Sequence, residues 1–561
     1  MKSVYQILIF VFIASLDLTP CYGQTISKDK LSINKVKFSG GINLLSQFYN
    51  VKGLDPRRSP FSWVIAGNAM ISVGKFKLPF RFSFRDQKFN YGGPSFNKFG
   101  ISPKYKWARL HLGYRAMKFS KYTLNRKTFF GVGIELKPKL LRLSAFKGKL
   151  KNPLAQKDTL VFGGVLISTY NRDAYGVKIG IGNRNNFFDL SYLKVKDNID
   201  NIDSIIRYPN IKPVENLVLG ADWKLLISKT ISLTGSVNTS AYSENLSLPE
   251  FKVDSKLFSF FDKIYNVNSS TKLSFAGDLA LNMNLRNFNL GLQFRRIEPN
   301  YRSLGISFLQ ADVQSYTANT NINLFKRKLL LSAQVGIERN NLRNLDYLSR
   351  KRFIHSYRAN YTPSSGFNIM AHFANYQYES TDGLVAINDT LRQVSISRLA
   401  GLNMSYNHKT DTKTYGTFVS FQRQIVRDQS PVFNIGADIL NNNFSIGGVI
   451  KWNNRNLSLR PSINFSNFKI IENSQYRYGV GLNIKKSFLN KMLSLNFNSQ
   501  YSLNSINNTK NGFVFSNRLS AQYKINKKHI LKFRAGLMRK SAIIGKSFNE
   551  FRSTLQYSLK F

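Results

Sequence analysis

The chain of 561 residues carries 81 Lys and Arg against 30 Asp and Glu, a formal charge of +51. Past the N-terminus it has no apolar run near the roughly 18 residues of a spanning helix, and its single cysteine excludes a disulfide framework. Aromatic residues make up 14% of a chain whose mean hydropathy is −0.25, a balance that suits strands apolar on one face only.

The first element is a secretory signal. Lys2 supplies the positive start, and Ile7 to Leu16 form an apolar run too short to span. The sequence "CYGQ" predicts cleavage after Gly23, giving a signal over 1–23 and a mature chain over 24–561. Pro20 before Cys21 spoils a lipoprotein site. Cleavage removes Cys21, so no thiolate metal site or thiol nucleophile is expected.

From residue 33 onward the dominant period is two. In "LSLNFNSQYSL", Leu493, Leu495, Phe497, Tyr501 and Leu503 share one face, while Ser494, Asn496, Asn498 and Gln500 share the other. This is the pattern of half-apolar strands. Segments of about 10–14 residues suit a tilted crossing of a bilayer. Tight connections such as "VGKF", "KPK", "NRNN", "SKT", "KRK" and "NKKH" alternate with longer ones near 51–60, 87–97, 117–127, 197–214, 245–270, 342–350 and 380–390. The prediction is an all-β, transmembrane, antiparallel up-and-down barrel of about 26 strands, within a range of 22–30. The segments 159–182 and 432–452 are each expected to give one strand. Strands start soon after the signal, so no plug domain is expected.

A barrel this wide needs something to occupy or flatten it. The loop 245–270 is the internal candidate. "DSKLFSFFDKIYNV" places Leu257, Phe258, Phe261, Ile264 and Tyr265 at helical spacing, with Asp254 or Ser255 as N-cap. This helix either caps the rim or constricts the lumen.

Period two also assigns charges to lipid or lumen. With Phe76, Leu78, Phe80, Phe82 and Phe84 outward, Arg81 and Arg85 point inward. The next strands send Lys104, Lys106, Arg109 and Arg115 inward, and the last strands send Arg518, Lys532, Arg534 and Arg552. Lys35 and Lys37 join them near the closure. The expectation is a basic lumen wall around the seam, with inward acids (Glu135, Asp189, Asp222, Asp278, Glu338) mostly elsewhere. Such a wall favours anions.

The chain ends "LQYSLKF". Leu555, Tyr557, Leu559 and Phe561 share one face of a last strand expected to pair with the first, near 36–50. This terminal pattern resembles the C-terminal assembly signal of bacterial outer-membrane β-barrel proteins. The region 97–153, including "WARLHLGYRAMKFSKYTL", is similar to uncharacterised outer-membrane barrels of Bacteroidota-type bacteria. The resemblance implies an outer-membrane location in a Gram-negative cell and recognition by the barrel-assembly machinery. It carries no known chemistry.

The five His are scattered, with no metal-ligand spacing, and no GxSxG or P-loop occurs. No enzyme activity, cofactor or metal is expected. The function expected first is a partner-dependent platform or conduit for surface or envelope assembly or export, with a periplasmic subunit or lipoprotein as partner. The alternative is a loop-gated, anion-biased, porin-like solute channel. The excess charge reads either as solvated basic turns or as a sign of an anionic partner, such as lipopolysaccharide phosphates, acidic glycans or a polyanionic cargo. Outer-membrane lipid and lipopolysaccharide are expected partners. Export argues against nucleic acid.

Overall fold

The computed structural model describes residues 36–86, 98–151, 170–199, 212–250, 264–388, 390, 392–432 and 438–561. Alternating apolar and polar residues build one antiparallel sheet in which strands pair in chain order. The first strand, Lys37–Lys52, pairs with the last, Phe548–Lys560, and the sheet closes into a barrel of 26 strands. Closure is obligatory in hydrocarbon, because an open edge leaves a row of backbone N–H and C=O groups without partners.

The seam is built from the terminal residue. The Phe561 ring stacks on Phe38 with centroids 4.4 Å apart and planes 5° apart. Its carbonyl accepts from the Gly40 N–H at 2.7 Å, and its own N–H donates to the Gly40 carbonyl at 3.2 Å. Gly40 has no room for a side chain: a Cβ there would lie 2.8 Å from Cε2 of Phe561.

One strand is interrupted. Lys98–Ile101 and Lys104–Tyr105 both pair with Phe76–Arg85 on one side and Ala108–Lys118 on the other. Between them lies Pro103, which has no N–H for the ladder. Arg115 holds the end of the strand just before the break. Its Nε donates to the Ile101 carbonyl at 3.1 Å, and its Nη2 donates to the carbonyls of Pro79 (3.3 Å) and Gly100.

The alternation of connections follows the expected parity. Every second connection, beginning with Gly74–Lys75, is two to four residues long, and all of these lie on one rim. The other rim carries the longer ones, with two exceptions at 471–472 and 507–508, which are two-residue turns. Among the described residues, the segments 159–182 and 432–452 contribute one strand each, Asn171–Gly182 and Ile439–Trp452. The connection 298–312 is longer than the sequence suggested and forms no strand. The outward face is apolar: Phe84, Phe130, Val132, Ile179, Leu190 and Val237 are all exposed. That surface is the one a bilayer covers.

Two substitutions test the seam. Gly40→Val should prevent closure and abolish the heat-modifiable band on denaturing gels. Phe561→Ala should keep the fold but weaken it by about 1 kcal/mol from lost ring stacking alone, read as a lower urea midpoint.

Candidate functional site: a lumen packed in one sector

The inward face is filled unevenly. Of the buried apolar residues described, all but Tyr49, Ala374 and Ile396 fall between residues 117 and 313. Most of them form one core inside the barrel, with Phe119, Tyr122 and Leu124 from the connection 119–124 and Tyr301 from 298–312. Both connections therefore fold into the lumen rather than over the rim. The segment expected in this role, 245–270, is described only at 245–250 and 264–270.

The contacts of these two connections are specific. The Tyr301 hydroxyl donates to the Tyr122 carbonyl at 3.0 Å, and Ser303 Oγ donates to the Thr123 carbonyl at 2.5 Å. The Asn125 N–H donates to the Gly305 carbonyl at 3.1 Å. Asn216, fully buried on the wall, donates to the Arg302 carbonyl and accepts from the Leu304 N–H. Burial, and for Tyr122 also the Asp278 carboxylate, pushes both tyrosine phenols above their ordinary range. They stay protonated, so the Tyr301 hydroxyl keeps its proton to donate.

Beneath them runs a charged belt. Lys121 Nζ lies 2.6 Å from Oδ2 of Asp278, whose side chain is 1% exposed. Asp189 is held by Arg142 at 2.7 Å and Lys178 at 3.3 Å. Glu338 joins Arg295 at 3.1 Å and Arg352 at 3.2 Å. Strand register sets Asp189 level with Asp222, Asp222 with Ser236, Ser236 with Asp278, and Asp278 with Arg295. Most of this charge is neutralised locally, so it serves the packing. One Asp278 oxygen and one Asp222 oxygen have no hydrogen-bond partner among the described residues.

The seam sector is different. Arg518, Arg534 and Arg552, from three consecutive strands, are exposed and line a 640 Å³ cleft whose only acid is Glu550. Register sets Arg518 level with Gly536 and Gly536 level with Arg552, so no side chain separates those two guanidinium groups along the wall. Arg552 donates to Gln47 Oε1 at 2.9 Å, across the closure. On the far side of the first two strands, Arg81, Arg109 and Arg115 line a second cleft of 810 Å³ with His111. Lys104, Lys106 and Arg109 line a third, of 490 Å³, together with Glu135.

Several of the sequence-derived basic residues thus line these three clefts, the second and third of which share Arg109. Lys37 stands on the inward face of the first strand, at the tight-turn end, and Arg85 sits level with Val64. Lys532 is level with Gln556 and lies in none of these clefts. Arg115 is committed to backbone carbonyls. Glu135, expected away from the basic residues, stands among them: it lies 3.1 Å from His111 Nε2 and 3.4 Å from Lys137. Lys35, Leu257, Phe258 and Phe261 lie outside the described residues. Of the expected loop helix, only Ile264 and Tyr265 are described. The Tyr265 hydroxyl is buried on Ser243 and donates to the Glu215 carbonyl, and the Ile264 carbonyl accepts from Lys194. Lys121, Tyr122, Tyr301 and Ser303 were not singled out by the sequence. The available signal was the apolar content of "EPNYRSLGISFLQAD", unusual for a solvated connection.

No protein-family model and no curated protein matches the chain. Among solved structures, the translocation pore of the P pilus usher PapC is similar over 93% of this chain and 99% of its own, at 10% identity and a TM-score of 0.37. The FrpB iron transporter from Neisseria meningitidis is similar over 93% of this chain and 81% of its own, with the same identity and TM-score. OccAB2 from Acinetobacter baumannii is similar over 62% of this chain and 92% of its own, at 11% identity and a TM-score of 0.31. At such values the matches say nothing about what this chain carries.

Tyr301→Ala should cost about 3–5 kcal/mol of local stability through the cavity it leaves, while Tyr301→Phe should cost about 1 kcal/mol for one lost hydrogen bond. Limited proteolysis within 298–312 should be fast in the first variant and slow in the second. Asp278→Asn should remove the ion pair to Lys121 and raise cleavage within 119–124.

Proposed function

We propose that the protein is an outer-membrane barrel of a Gram-negative, Bacteroidota-type cell that gives anionic solutes a passage along its seam sector. The observation that carries this reading is the cleft of Arg518, Arg534 and Arg552, exposed on the inward face and opposed by one carboxylate. Three guanidinium groups with little local compensation make a positive potential that concentrates anions. The neighbouring wall continues mainly in amides and hydroxyls, with Arg477 among them. Gln422, Asn443, Asn464 and Gln500 line a cleft with several serines. These can wet a polar solute without trapping it. The connections packed in the other sector narrow the lumen and answer the leak that so wide a barrel would make. The reading includes a signal peptide cleaved after Gly23, barrel-assembly machinery that reads Leu555, Tyr557, Leu559 and Phe561, and contact with lipopolysaccharide at the long-connection rim. It assigns no catalytic role and no nucleic acid.

A second reading keeps a partner-dependent platform or conduit for envelope assembly or export. It is favoured by apolar side chains at the long-connection rim. Tyr347, Ile543 and Leu345 are 76%, 75% and 64% exposed there, more than a solvated rim needs. A lipoprotein or periplasmic subunit is the partner this reading requires.

Conductance in planar bilayers under a salt gradient separates the two. Steady conductance with an anion-selective reversal potential is expected, and Arg518→Glu/Arg534→Glu/Arg552→Glu should shift that potential toward cation selectivity. A correctly folded but silent barrel would reject the passage and favour the platform.

A further inference from the structure

The positive charge of the chain is sorted between its rims. The turns of the tight-turn rim include GK at 74–75, KPKL at 137–140, LRN at 285–287, FKRK at 325–328 and INKK at 525–528. Together, the twelve turns of this rim hold 14 Lys and Arg and one acid, Asp411. Ten of the twelve contain at least one basic residue. The described residues of the opposite rim's connections are balanced, with 8 basic and 9 acidic side chains. Among the described residues, only Lys137 of the tight-turn cations has an acid within ion-pair distance.

Apolar residues accompany the cations. Leu140 follows Lys139, Phe325 precedes Lys326, Leu489 stands two before Lys491, and Ile525 stands two before Lys527. All four are at least 47% exposed. A cation on a long stem beside an apolar side chain is the arrangement that sits at a membrane interface, with the stem in the acyl region and the charge at the headgroups.

We infer that the tight-turn rim is a ring that binds the headgroups of anionic phospholipids in the leaflet it faces. The distribution selects lipid over a protein partner. A protein of ordinary size would cover one sector, whereas a cation recurs in ten of the twelve turns around the barrel. A leaflet meets every turn alike. The inference rests on the barrel spanning a bilayer and is independent of what its lumen carries.

The test uses the full-length protein in vesicles of phosphatidylcholine with spin-labelled phosphatidylglycerol or spin-labelled phosphatidylcholine. The motionally restricted fraction gives the relative affinity of each lipid for the barrel surface. Phosphatidylglycerol should be preferred about fivefold at a basic site of this kind, and the preference should fall as salt is raised. Lys326→Gln/Arg327→Gln/Lys328→Gln combined with Lys527→Gln/Lys528→Gln should reduce it, whereas Arg57→Gln/Arg58→Gln on the other rim should leave it unchanged. Equal affinity for the two lipids in the wild-type protein would overturn the inference, as would a preference that survives neutralisation of the turns. Salt-sensitive capture of a stoichiometric acidic protein with no lipid preference would reassign the ring to a partner. No restricted lipid of either kind would mean that the protein does not span the vesicle membrane, and would remove the inference and its premise together.

Discussion

Every strand of this protein depends on the demand of the peptide group for a hydrogen-bond partner in a medium that offers none. A bilayer supplies no water to an open sheet edge. The sheet must therefore return on itself, and residues more than 500 positions apart in the chain must meet in register, as Ser558 and Asn43 do. Gly40 and Phe561 solve the local packing of that meeting. The apolar band, the rims and the lumen all follow from a wall closed in this way.

A closed wall of this size poses a second problem, the space inside it. The chain answers with two connections that turn inward and carry their own apolar core. A solvated polar lumen could not hold them by hydrophobic burial alone, so the wall presents fixed hydrogen-bond partners such as Asn216 and an ion pair to Asp278. The same lumen therefore has two chemistries. In one sector, charges are neutralised by neighbours and support packing. In the other, the guanidinium groups of Arg518, Arg534 and Arg552 are left exposed.

Much of the architecture was legible because a strand with one lipid face writes its orientation at every second residue. Phe76 to Phe84 and Leu493 to Leu503 can be read this way without tertiary information, and the turn sequences mark where each strand ends. The inward loops were not legible. Their apolar residues have no period, and "YRSLGISF" reads equally well as a rim loop, a helix or an insertion. Their partners, Asn216 and Asp278, look like any other polar lumen residue until register sets them opposite. Which basic residues stand together in a cleft was hidden for a related reason. Period two gives the face of Arg81 and Arg534, but not the height at which each stands once the strands are staggered. Nor could it show that Arg115 is occupied by the carbonyls of Pro79, Gly100 and Ile101.

The inward core also bears on the order in which the barrel is made. Its contacts join residues up to about 180 apart, as in Ser303 with Thr123, whereas the seam joins residues about 510 apart. Loop-closure entropy rises with that separation, and the distant end of the chain emerges last from synthesis and export. The packed sector can consolidate while the remaining strands are still being delivered, and it then serves as the mandrel on which they are wound. Assembly becomes a matter of adding hairpins to an existing edge until that edge disappears.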